Sequence, residues 1–180
     1  MAASLDPPLG PDDHVDGPHD AALELVMYGD FQCPYCAAAQ SIIRRVRERI
    51  DGPLRFAFRH MPLPAHPDAD NAAQASEAAA AQGAFWPMHD ELYAGRGRLS
   101  LDDLAGHASA IGLDGARVRE EIAAGVHAER VARDERSARA AGITGTPAFF
   151  VNGVLHEGSF DAGSLVEALE ASAPAASDAA

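Results

Sequence analysis

The sequence contains no lysine. All 14 of its basic residues are arginines, they stand against 27 acidic residues, and the formal net charge is -13. A surface of that sign meets a phosphate backbone with net repulsion, so nucleic acid is not an expected partner. Long apolar runs are missing too. None approaches the roughly 20 residues of a membrane helix, and no membrane span is expected. In residues 1–20 no arginine precedes an apolar stretch, and Pro7, Pro8, Asp12, Asp13 and Asp16 stand there instead, so this start does not read as a signal peptide. With Met1 as the native start, a cytoplasmic location is expected. Cysteine is also scarce. The two present, in Cys33-Pro34-Tyr35-Cys36, are too close to staple distant parts of a chain, which excludes a disulfide framework and leaves redox chemistry or metal binding.

What is present suits a globular chain: 180 residues, 47% of them hydrophobic, are enough for one domain with an insertion. Leu23 to Tyr28 is a short apolar run that stops at Gly29, as a buried strand would. From Tyr35 to Ile50 there is no proline or glycine, and Ile42, Val46 and Ile50 recur four residues apart with Ile43 beside them, which predicts an amphipathic helix. Its arginines, Arg44, Arg45, Arg47 and Arg49, read as a solvated face. After Asp51-Gly52-Pro53, Leu54, Phe56 and Phe58 alternate with Arg55, Ala57 and Arg59, the pattern of a half-buried strand. A right-handed crossover would make the two strands parallel and bring their carboxyl ends to the edge that carries the cysteines.

From Asp68 to Ala141 alanine dominates and strand runs vanish, with glycines at the expected helix ends: Gly83, Gly112, Gly125 and Gly142. Ser100 and Asp103 have the spacing of a capping box, and Asp114 is placed to cap the helix after it. Strand character returns at Ala148 to Val151, Asn152-Gly153 signals a hairpin, and Leu165, Val166 and Leu169 mark a closing helix.

The cysteine pair carries the chemistry. At the start of a helix that follows a strand, unpaired N–H groups and the helix dipole favour a thiolate at Cys33. Pro34 suits the first turn because its missing N–H has no partner there. Cys36, one turn further in, is shielded and placed to attack a mixed disulfide formed at Cys33. The rival, half of a zinc site, would need two further ligands from the eight histidines, and no second Cys-x-x-Cys supplies them.

The stretches Tyr28 to Cys36, Arg59-His60-Met61-Pro62-Leu63, Phe85-Trp86-Pro87-Met88-His89-Asp90 and Gly145 to Gly153 together resemble the DsbA-like group of thioredoxin-fold oxidoreductases. Within it the chain is similar to soluble members from bacterial cytoplasm and to those appended to some sodium/proton antiporters. The resemblance covers about residues 13–170. It implies an α/β thioredoxin fold with an inserted all-helical subdomain. The expected organisation is a disordered N-terminus over 1–12, a thioredoxin-fold domain over 13–62 and 143–171, a helical insertion over 63–142 and a disordered tail over 172–180. It further implies that Pro147 is cis and faces the cysteines, exposing the backbone of Thr146 to an extended substrate. Members often carry a buried glutamate where Met27 stands here, which leaves Asp30 or water to take the Cys36 proton.

The expected activity is thiol–disulfide exchange with protein or peptide thiols and disulfides, or with a small-molecule thiol, without a cofactor or a metal. Cys33 and Cys36 are the catalytic residues, and Pro34, Tyr35, His60, Thr146 and Pro147 line the substrate site. Phe85 and Trp86 read as core, and His89-Asp90 as a pair on a helix surface. Two other functions fit the same fold. A peptide-binding or chaperone module would leave the cysteines idle, and a glutathione-dependent transferase or isomerase would not need Cys36.

Overall fold

Strand β2 (Leu23–Gly29), helix α1 (Pro34–Arg49) and strand β3 (Leu54–His60) follow one another in that order, and β2 and β3 pair in parallel, with Gly29 opposite His60. This unit is the centre of a computed structural model that describes residues 2–172. Strand β1 (His14–Asp16) flanks β3 antiparallel, while β4 (Ala148–Val151) and the two-residue β5 (Val154–Leu155) extend the sheet beyond β2, giving the order β1-β3-β2-β4-β5. Between β3 and β4 run α2 (Ala69–Ala80), α3 (Phe85–Ala94), α4 (Leu101–Ala110), α5 (Gly115–Ala123) and α6 (Ala128–Ala140), and α7 (Ala162–Ala171) closes the chain. This is an α/β thioredoxin fold with a helical insertion. Among the described residues no helix is long and apolar enough to cross a membrane.

Local sequence sets the element ends. Ser100 accepts from the Asp103 backbone while the Asp103 side chain accepts from Ser100, and Asp114 accepts from the Arg117 N–H. Asn152 and Gly153 both have positive φ, which turns β4 into β5.

Each face of the sheet has its own apolar cluster, because successive strand side chains alternate. Leu25, Met27, Phe56 and Phe58 meet Ile43 and Val46 of α1, Leu165 and Leu169 of α7, and Ala72, Ala75, Met88 and Leu104 of the insertion. The insertion therefore has no separate core. On the other face Val26, Tyr28, Ala57 and Phe150 meet Leu5, Ala138 and Ile143. Helix α6, although within 63–142, covers this second face of the sheet.

Two expectations change. Strand β3 is not half-buried: both of its faces are covered, and even Arg59 is enclosed. It is an interior strand, with β1 and β2 on either side, and residues before β1 lie over its second face. Those residues were expected to be disordered, but the Leu5 N–H donates to the Gly153 carbonyl, the Leu155 N–H to that of Ala3, and Leu5 is buried. Arg59 holds them down by donating to both carboxylate oxygens of Asp13, at 2.9 and 3.0 Å, and to the Tyr28 hydroxyl at 3.0 Å. Of the tail expected to be disordered, residues 173–180 lie outside the described residues.

Candidate active site

The β2–α1 loop is built around Asp30. Its Oδ1 accepts from the backbone N–H groups of Gln32 and Cys33, and its Oδ2 from the Leu63 N–H and from His66 Nδ1. Both oxygens are thus committed to holding the loop, and none of these bonds leads to a thiol. As a carrier for the Cys36 proton, Asp30 is corrected to a loop anchor. Gly29 lets the Phe58 ring lie against the end of β2, because a Cβ there would meet that ring at 2.4 Å.

Cys33 is the N-cap of α1, and Pro34 is the first helical residue. Both thiols are free, Cys33 is 3% exposed and Cys36 fully buried. Pro34 and Tyr35 project into solvent between them, Tyr35 with 67% of its surface exposed. The Thr146–Pro147 peptide bond is cis, and the Thr146 carbonyl oxygen lies 3.5 Å from Cys33 Sγ. The backbone of Thr146 and the first cysteine therefore face each other directly.

Burial pushes the Cys36 thiol up to about 12, against the pull of the Thr146 hydroxyl and the Asp30 backbone N–H, which favour the thiolate. The Thr146 hydroxyl is buried and has no hydrogen-bond partner of its own, so it is free to donate to a Cys36 thiolate when one forms. Met27 is fully buried on the same side, and the nearby polar group is Gln40, whose amide donates to the Cys36 carbonyl at 3.2 Å.

Tyr93 is a site residue that the sequence reading passed over. Its hydroxyl donates to the Asp30 carbonyl at 3.3 Å, and burial together with the Cys36, Asp30 and Cys33 groups holds it far above the ordinary tyrosine range. The signal was the aromatic stripe of α3, Phe85, Trp86, His89 and Tyr93, whose first members read as core.

His60 does not line a substrate groove. It is fully buried, and its Nε2 meets Glu77 Oε1 at 2.7 Å. Its place at the end of β3 brings it to the correct edge of the sheet, but α2 closes over that face. The expected surface pair forms, with His89 Nδ1 2.9 Å from Asp90 Oδ1, but only Asp90 is outside: His89 is 2% exposed, packs on Phe31 and Tyr93, and is pushed down by burial. Phe85 is buried, and Trp86 packs on Phe56. Among the described residues, no histidine joins the cysteines in a cluster of three or more metal-ligating groups.

The model of the DSBA-like thioredoxin domain matches residues 24–170. Relatives include a Na(+)/H(+) antiporter NhaA 1 of Salinispora arenicola, 45% identical over 94% of this chain and 26% of its own, and an NhaA of Herminiimonas arsenicoxydans, 44% identical over 93% and 27%. The chain thus spans about a quarter of the length of the curated relatives it matches. Among solved structures, BdbD from Bacillus subtilis superposes with a TM-score of 0.85 at 23% identity, covering 94% of this chain and 97% of that one, a likeness of fold. A thioredoxin-like oxidoreductase from Silicibacter pomeroyi gives a TM-score of 0.80 at 26% identity, over 90% and 92%.

Proposed function

Because the chain belongs to the DSBA-like thioredoxin domain family, we propose that it exchanges disulfides with protein or peptide thiols through Cys33 and Cys36. The observation that carries this reading is the placement of Cys33 Sγ 3.5 Å from the Thr146 carbonyl with a buried second thiol behind it. In the reducing direction, the Cys33 thiolate attacks one sulfur of a substrate disulfide, and the other sulfur leaves as a thiolate and takes a proton. Cys36 loses its proton, attacks Cys33 Sγ in the mixed disulfide, and the second substrate thiolate departs. Two electrons have then passed from the protein to the substrate. The oxidising direction runs the same steps backwards.

Pro34, Tyr35, Thr146 and Pro147 form the rim that an extended substrate meets, with the Thr146 backbone available for strand-like pairing. Incubating Cys36→Ala with reducible substrate proteins is expected to accumulate mixed disulfides at Cys33 that dithiothreitol releases. No covalent complex would instead favour the peptide-binding module. Equilibration of the wild type with glutathione buffers gives the direction of flux. The cytoplasmic location belongs to the same proposal, and fractionation of the producing cells tests it.

A further inference from the structure

Period-two alternation places two histidines side by side away from the cysteines. His14 is paired with Phe58 across β1 and β3, so His14, Phe58 and His60 project from one face of the sheet. Helix α2 crosses that face with a nearly all-alanine surface, Ala72, Ala75, Ala78 and Ala79, interrupted by the buried carboxylate of Glu77. Glu77 Oε1 sits 2.8 Å from His14 Nε2 and 2.7 Å from His60 Nε2, and one donor atom from each residue falls within 4.8 Å of the others.

The rings are fixed in place. His14 stacks on Phe85 with centroids 3.5 Å apart and planes 7° apart, and His60 stands edge-on to Phe58 and Phe85. Packing thus aims both Nε2 atoms at one point before any ligand arrives. The His14 side chain keeps 17% exposure, so the cluster touches solvent on that side. Arg130 Nε approaches the same Oε1 only to 3.8 Å, while its guanidinium is drawn to Asp134 one turn along α6.

A buried ion-paired triad is by itself a weak source of stability, but two imidazoles and one carboxylate converging from three elements are the donor set of a zinc-type cation. We propose that His14, His60 and Glu77 bind a divalent cation of the zinc class as a structural clip joining β1, β3 and α2. Both imidazoles coordinate through Nε2 with the proton on Nδ1, Glu77 supplies one oxygen, and water completes the shell. The site is independent of the thiol chemistry.

The test uses the full chain with Cys33→Ser and Cys36→Ser, so that no thiolate competes, after stripping with a chelator. Titration with zinc is expected to show one equivalent bound. At about 100 times the dissociation constant, Tm should rise by about 5–10 °C. Cobalt should give visible bands of a nitrogen and oxygen site without thiolate charge transfer. His14→Ala, at the least buried ligand, should weaken zinc at least tenfold while its melt in chelator remains cooperative. Absence of a saturable equivalent, unchanged affinity in His14→Ala, or equal affinity for calcium would each overturn the proposal. Should His14→Ala fail to fold, the cobalt spectrum of the parent decides alone: without the d–d bands of a bound four- or five-coordinate ion the site is not this one.

Discussion

The side-chain nitrogen of Gln40 reaches the sulfur of Met27 at 4.0 Å, one turn of helix from the resolving cysteine whose carbonyl it also holds. A thioether takes no proton, so the Cys36 proton has no titratable acceptor on this side. In Met27→Glu the carboxylate would sit within reach of the Gln40 amide. Resolution of a mixed disulfide at neutral pH is expected to speed up by about tenfold or more. Stability should fall by about 1–3 kcal/mol, because a polar group replaces a fully buried apolar one. Stopped-flow measurement of Cys36 attack and urea melts read the two effects. Equal resolution rates in the two proteins would mean that another acceptor already serves the wild type.

Cys36 itself should be slow to modify. With its thiol pushed up to about 12 by burial, iodoacetamide at pH 8 should label it at least about 100-fold more slowly in the folded reduced protein than in urea. The neutral thiol is the form the fold favours, so its contribution to stability is present below the ordinary value of 9.0 and is lost as pH rises from there towards about 12. Denaturant melts of the reduced protein should therefore weaken across that window, and Cys36→Ala should not share this loss.

Glu77 titrates with the opposite sign. Despite burial, its partners His14 and His60 hold its carboxyl far below the usual range, so it stabilises the fold above its ordinary value of 4.5 and that contribution fades as pH falls. Measured in chelator at pH 7, Glu77→Gln should cost about 3 kcal/mol, as breaking a buried pair does. The gap from wild type should narrow below pH 4.5. A constant gap from pH 7 to 3 would show that the charge is not what matters.

Removing Arg59 should free the first residues of the chain. Arg59→Met strands the Asp13 carboxylate beneath Pro8 and is expected to cost about 3–5 kcal/mol. Adding Asp13→Asn should recover part of that loss, a coupling that a double-mutant cycle measures. Purely additive effects would mean that the two groups do not act as a pair.

The sequence made some of this legible because the signals were local. A helix face repeating through Ile43 and Val46, a capping box at Ser100 and a turn at Asn152-Gly153 depend on neighbours a few residues away. The cysteine pair at a helix start is local in the same sense. What escaped depends on distant segments. Alternation in β3 put Arg59 on the face opposite Phe56 and Phe58 but could not say that residues before β1 would cover that face. His60 was assigned the right edge of the sheet and the wrong environment, because only the path of α2 decides that Glu77 lies over it. His14 and His60, 46 positions apart, carry no pattern that joins them until β1 is laid against β3. Tyr93 belongs with Cys36 only through the packing of α3 on the loop.

The pairing of residues 3–5 with β5 also bears on how molecules of this protein behave towards one another. A two-residue outer strand that begins with a half-exposed Val154 would leave backbone donors and acceptors open to any other extended chain. Ser4 bridges Val154, and the neighbouring Leu5 and Leu155 N–H groups are also taken up there. The opening residues thus work as a guard strip along that border, and the buried Arg59–Asp13 pair is the clasp that keeps it shut. A chain trimmed to Asp12 would keep its cysteines and its sheet, yet would offer a raw edge on which copies could zip together.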